Sequence, residues 1–131
     1  MEIRPFVPHL YPTLVSWWLN HDWPSIPLNY LPKTGVVIYG KEVPVCAGFL
    51  YSTDSDVAII EWIISNPHTA KLERRAALVL LIEALCQEAK NRGFKSVFTF
   101  ASHPRLIEEL DSAGFVVTDR GMTHMLKVVS Q

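Results

Sequence analysis

The chain opens with alternating polar and apolar residues: Glu2-Ile3-Arg4-Pro5-Phe6 reads as a short edge strand, where Pro5 is tolerable if its missing N–H faces outward. From Pro12 to about His21, the residues Leu14, Trp17, Trp18 and Leu19 recur at helical intervals and predict an amphipathic helix with a tryptophan-heavy stripe. Pro24, Pro27 and Pro32 bar its continuation, so Trp23 to Pro32 is expected as an ordered apolar loop. Three strand-like runs follow, Gly35 to Tyr39, Val43 to Tyr51 and Val57 to Ile64, separated by turn-forming Gly40-Lys41-Glu42 and Ser52-Thr53-Asp54-Ser55-Asp56. They predict an antiparallel meander. Leu72 to Arg92 carries a long helical pattern with Ala76, Leu80, Ile82 and Cys86 as buried candidates, and Gly93 closes it as a C-terminal cap. Val97 to Ala101 is a short apolar strand, Pro104 to Ser112 a helix with proline in its first turn, and Val116 to Val129 holds one or two further strands around Gly121.

Composition narrows the reading. A chain of 131 residues suits one hydrophobic core, so residues 1–131 are expected to form a single domain. With 49% apolar and 19% charged residues it is too apolar for disorder, yet it lacks the uncharged run of a membrane helix. Twelve Lys and Arg against thirteen Asp and Glu create no field that favours nucleic acid or an anionic lipid surface. Cys46 and Cys86 read as reduced core thiols, and the N-terminus carries no export signal; both suit the cytoplasm. The histidines have no metal-ligand spacing, Gly114 and Gly121 form no dinucleotide fingerprint, and no serine sits in a Gly-x-Ser-x-Gly setting.

An antiparallel meander followed by strand-helix-strand-helix implies an α/β fold: a mixed, mostly antiparallel sheet with helices on both faces. At this point the chain resembles the GNAT superfamily of acetyl-CoA-dependent N-acyltransferases. Ile59-Ile60-Glu61-Trp62-Ile63-Ile64-Ser65-Asn66-Pro67, leading through Lys71-Leu72-Glu73-Arg74-Arg75-Ala76, looks like the family's fourth strand, pyrophosphate loop and following helix. Ser102-His103-Pro104-Arg105-Leu106-Ile107, running to Ser112-Ala113-Gly114-Phe115, is similar to the segment after its fifth strand. The tryptophan-rich start is similar to a small phage-encoded branch. The resemblance implies a V-shaped split between the fourth and fifth strands, here Ile60 to Ser65 and Val97 to Ala101, where the pantetheine arm of acetyl-CoA would pair with exposed backbone. It also implies that N–H groups around Ile63 and Ile64 stabilise a developing oxyanion. The pyrophosphate would rest on the turn carrying Lys71, Arg74, Arg75 and Ala76, because a helix N-terminus is an anion site. Arg74 stands where the family keeps glycine, and its own charge can meet a phosphate.

Acetyl transfer to an amine needs a base, since an alkyl ammonium with a pKa near ~10.4 is protonated at neutral pH. Glu61 is the only charge in the apolar run Val57 to Ile64, and strand alternation places it with Ile59 and Ile63, opposite Trp62. It is the candidate base, with a structural ion pair as the alternative. The acid usual in the family, a Tyr four residues before the Gly of Gly-Phe, is replaced by Leu110, which leaves His103 as a further catalytic candidate. Trp18, Trp23 and Tyr30 are candidate walls of an acceptor pocket, and core or interface residues otherwise. His124 is read chiefly as a hydrogen-bonded histidine of the last strand region. Two expectations follow: an N-acetyltransferase acting on an unidentified amine, or a catalytically impaired module of the same fold that binds a protein through its tryptophans. A homodimer is compatible with either.

Overall fold

The computed structural model describes residues 1–130. Its five-stranded sheet has the order β1 (Glu2–Pro5), β2 (Gly35–Gly40), β3 (Val43–Tyr51), β4 (Val57–Ser65), β5 (Ser96–Thr99). The first four strands pair antiparallel, and β5 joins β4 in parallel through the crossover helix α2 (Lys71–Asn91). Helix α1 (Tyr11–Asn20) fills the connection from β1 to β2, and α3 (Pro104–Ser112) follows β5. Among the described residues no helix is long and apolar enough to cross a membrane.

Strand alternation divides the core into two layers. On one face Ile38, Val45, Leu50, Ala58 and Ile60 meet Ala77, Leu81, Leu85 and Ala89 of α2. On the other, Val37, Ala47, Phe49 and Ile64 meet Leu14, Trp17 and Trp18 of α1, together with Phe6 and Leu31. Helices therefore cover both faces, as the element order implied. The buried stripe of α2 differs from the expected one by a single position: Ala77 faces the sheet and Ala76 is exposed, while Leu80 and Cys86 lie at the margin. A fairly uniform run of small and apolar residues, Ala76-Ala77-Leu78-Val79-Leu80-Leu81, leaves the phase of the helix to packing.

Gly48 is the close contact between α2 and the sheet. A Cβ there would come within 3.0 Å of Leu85 Cδ1 and 3.3 Å of Ile63 and Leu81, so its missing side chain is what lets the helix seat. The outer edge at β1 carries Arg4, which bonds Glu2 and Glu42 and lies 4.1 Å over the Tyr39 ring, a charged edge that discourages pairing with another sheet.

The strands expected between Val116 and Val129 are absent. Val116, Met122, Met125, Leu126 and Val129 stand 69–87% exposed, and the described backbone from Val116 onward joins no ladder. Branched and apolar residues supply strand propensity, but a strand needs a partner edge and a face to bury.

Replacing Leu85 by Ala should cost about 2–5 kcal/mol in urea unfolding. Gly48→Ala should be costly in the wild-type background and milder beside Leu85→Ala, because the two changes compete for the same space.

Candidate active site

The pairing of β3 with β4 slips between Ala47 and Phe49: Ala47 faces Ile64 and Phe49 faces Glu61, so Trp62 and Ile63 together oppose Gly48. This is a bulge of one extra residue on β4, and it places Trp62 at φ 58°, a left-handed conformation unusual for a bulky residue. Two hydrogen bonds hold it: Trp62 Nε1–H donates to Tyr51 Oη at 2.8 Å, and Tyr51 O–H donates to the Tyr30 carbonyl at 2.8 Å.

The bulge overturns the simple alternation expected of β4. Glu61 shares the α1 face with its cross-strand partner Phe49, and Trp62 packs against the same layer. Ile63 turns to the α2 side. Consecutive residues, an acid and an indole, thus lie on one face.

Pairing between β4 and β5 covers only Val57 to Ile60 against Ser96 to Thr99. Thr99 closes it, its hydroxyl donating to the Ile60 carbonyl at 2.9 Å. From Glu61 to Ser65 the β4 edge has no partner strand on that side among the described residues, which is the split expected between the fourth and fifth strands. The N–H of Asn66 bonds the Val45 carbonyl on β3, so alternation turns the Ile64 N–H toward β3 as well and directs the N–H groups of Ile63 and Ser65 to the open edge. Of the expected pair Ile63 and Ile64, only Ile63 offers its N–H to the split, and Ser65 joins it. The Ser65 carbonyl accepts a bond from His21 Nε2 at 3.2 Å, and the His21 ring stacks 4.7 Å from Trp23. Neither Ser65 nor His21 is signalled by spacing, because only the bulge sets the phase of this edge.

After five intervening residues beyond Ser65 the chain enters α2 at Lys71. Ala70, the residue before it, supplies no side-chain cap, and the first intrahelical bond runs from the Arg74 N–H to the Ala70 carbonyl at 3.0 Å. The N–H groups of Lys71, Leu72 and Glu73 therefore lack partners within the helix, at the positive end of its dipole. Lys71 and Arg74 make no salt bridge among the described residues, whereas Arg75 reaches Glu109 of α3 at 3.5 Å. Ala76 is exposed beside them.

The remaining candidates separate. His103 caps α3, its Nδ1 accepting the Arg105 N–H at 3.2 Å. Trp18 is buried with Trp17 under α1 and offers no wall to a ligand, a correction that follows from its place on the helix stripe facing the sheet. Trp23 and Tyr30 are exposed on the loop beside the split. Leu110 is buried, in keeping with its apolar side chain. Two open surface grooves run along α2 past Glu83 and Gln87, lined by none of these residues.

Burial pushes the Glu61 carboxyl above the ordinary carboxylate range, and His124 acts weakly in the other direction. The same cause raises the Cys86 thiol and pushes Cys46 up to about 12, so neither is a ready nucleophile. A raised carboxyl favours the fold while protonated, and that advantage fades as pH climbs from the unfolded carboxylate range through the folded pKa. Glu61→Gln should therefore match the wild type in thermal unfolding at pH 4 and equal or exceed it at pH 7.

No family model matches the chain, and no curated protein does. Solved structures match over nearly its whole length. TTHA1254 from Thermus thermophilus is 17% identical with a TM-score of 0.71, over 100% of this chain and 99% of that one. An acetyltransferase from Trypanosoma brucei is 17% identical with a TM-score of 0.67, over 95% of this chain and 99% of that one. The aminoglycoside N-acetyltransferase AAC(6')-Iy, bound to the bisubstrate analogue CoA-S-monomethyl-acetylneamine, is 17% identical with a TM-score of 0.67, over 97% of this chain and 98% of that one. With its split sheet and helices on both faces, the chain has the fold of these structures, two of them acetyltransferases, which is the GNAT fold that its sequence resembles.

Proposed function

We propose that residues 1–131 form a single-domain N-acetyltransferase that takes acetyl-CoA and transfers the acetyl group directly to an amine. The observation that carries this reading is the continuity of two features among the described residues: an unpaired β4 edge from Glu61 to Ser65, then a helix start with N–H donors free of intrahelical partners and the cations of Lys71 and Arg74, which make no salt bridge there. An edge of spare backbone groups suits an extended amide-bearing arm, and the helix start suits phosphates. A CoA thioester has both parts. AAC(6')-Iy, of the same fold, is bound to CoA conjugated to its acceptor.

In this reading Glu61 removes the ammonium proton, directly or through water, and its raised pKa brings it closer to the operating pH than an exposed carboxylate. The freed amine attacks the thioester carbonyl, the carbon–nitrogen bond forms, the carbon–sulfur bond breaks as CoA leaves as a thiolate, and the nitrogen gives up its second proton to water. In the same reading the open-edge N–H of Ile63 stabilises the developing oxyanion. No phenol stands at Leu110 and the His103 Nδ1 is engaged in capping, so the thiolate takes its proton from water. Trp23 and Tyr30 border the acceptor side. A docking module built on tryptophans is the weaker reading, because Trp17 and Trp18 are spent in the core. Reduced Cys46 and Cys86 suit a cytoplasmic enzyme.

Calorimetric titration should find micromolar affinity for acetyl-CoA, weakened at least about tenfold by Arg74→Glu, a loss of ~1.4 kcal/mol or more. No binding at millimolar acetyl-CoA by folded protein would remove the transferase reading. Against a panel of primary amines, CoA release should fall about 10²–10⁴-fold in Glu61→Gln with acetyl-CoA affinity intact. The wild-type kcat should rise with pH through a single ionisation above the ordinary carboxylate range, a limb the variant lacks.

A further inference from the structure

Glu61 presents a transport problem. Its side chain is only 15% exposed, and a base that accepts one proton per turnover must release it before the next. The elements around it hold few groups able to help. Its partner on β3 is Phe49, the ladder to β5 ends one residue earlier at Ile60 and Thr99, and the α1 layer beneath is Leu14, Trp17 and Trp18. His21, at the end of α1, is bonded to the Ser65 carbonyl further along the edge. Among the described residues His124 does face the carboxylate, its Nε2 4.0 Å from Glu61 Oε2. It comes from the segment after α3, and its ring meets Trp62 edge-on at 5.7 Å between centroids and 83° between planes. Unlike Glu61 it is 62% exposed.

We infer that His124 is a positioning residue that acts through Glu61, orienting the carboxylate and carrying its proton out to solvent. The inference rests on the transferase reading above and adds to it the route by which the base is reset. The proton leaves the acceptor ammonium for Glu61 Oε2, passes to His124 Nε2 by closure of the 4.0 Å gap or through one water, and departs to bulk solvent from the exposed ring. Charge balances at each step: the ammonium becomes a neutral amine, the carboxylate is transiently neutral, and the imidazole is transiently cationic. Trp62, held by Tyr51 and by the bulge, supplies the surface against which the ring is placed.

Two measurements test it. The first needs no acceptor: the His124 ring resonances are compared by NMR at one pH in the wild type and in Glu61→Gln. Contact predicts that the imidazole resonances change when the carboxylate becomes an amide, and identical spectra would overturn the route. The second follows CoA release from acetyl-CoA with whichever panel amine is fastest. His124→Gln should lower kcat about tenfold, less than the ~10²–10⁴-fold of a group that touches the reacting amine. The KM for acetyl-CoA should hold, and added imidazole should restore the rate. Loss without rescue, or an unchanged kcat, would overturn the proposal while leaving the transferase reading intact. Failure of the wild type to bind acetyl-CoA would instead end both, and calorimetry separates that case from the others. The exposure of His124 makes a folded variant the expected outcome, to be checked by its Tm.

Discussion

Everything at the centre of this molecule depends on one extra residue in β4. Because Trp62 and Ile63 together face Gly48, the strand changes phase in mid-course: the acid and the indole share one face, and the aliphatic side chains beyond them change layers. The residue opposite the insertion has no side chain, and a Cβ there would press on Ile63 at 3.3 Å. Gly48 leaves room for α2 at the very point where β4 is disturbed, so one glycine permits both the packing of the long helix and the distortion of the strand. The left-handed backbone at Trp62 carries a cost of order 1–3 kcal/mol. The Trp62–Tyr51–Tyr30 hydrogen-bond chain offsets it and ties the bulge to the proline-rich loop.

The electrostatics follow from this geometry. Burial on the α1 face sets Glu61 beside Phe49, Ile64 and tryptophans, with His124 facing it from the more exposed side, and that burial pushes its carboxyl upward. At the other end of the same edge, cations gather at a helix start without a cap, and Arg75 is tied to Glu109 while Lys71 and Arg74 make no salt bridge among the described residues. One end favours the uncharged form of an acid; the other welcomes an anion. A strand and a five-residue turn separate the two.

Much of the fold was legible from pattern alone. The runs at Val43 to Tyr51 and Pro104 to Ser112 coincide with β3 and α3, and the long helix differs by one residue at each end, because alternation, proline punctuation and Gly93 are local signals. The phase of α2 was not legible, since Ala76 and Ala77 are interchangeable by composition. The face assignments around Glu61 were not legible either, because a bulge is decided by the opposing strand. The open edge could be anticipated only through the resemblance, and the placing of His21 and His124 against β4 is a matter of tertiary contact between segments with no periodicity in common. Trp18 shows the reverse difficulty. Its helical spacing with Leu14 already assigned it to the core, and its bulk suggested a pocket instead.

The hydroxyl of Thr99 on the Ile60 carbonyl marks where two strands stop being neighbours. Five residues of β4 lie beyond that knot, and at ~3.3 Å per residue they offer roughly 16 Å of free backbone. The slot is thus a ruler with its zero fixed by a single β-branched alcohol and its far end by the turn at Asn66. Any extended chain that lies along it is measured against that span, so reach, as much as chemistry, decides what this sheet can hold.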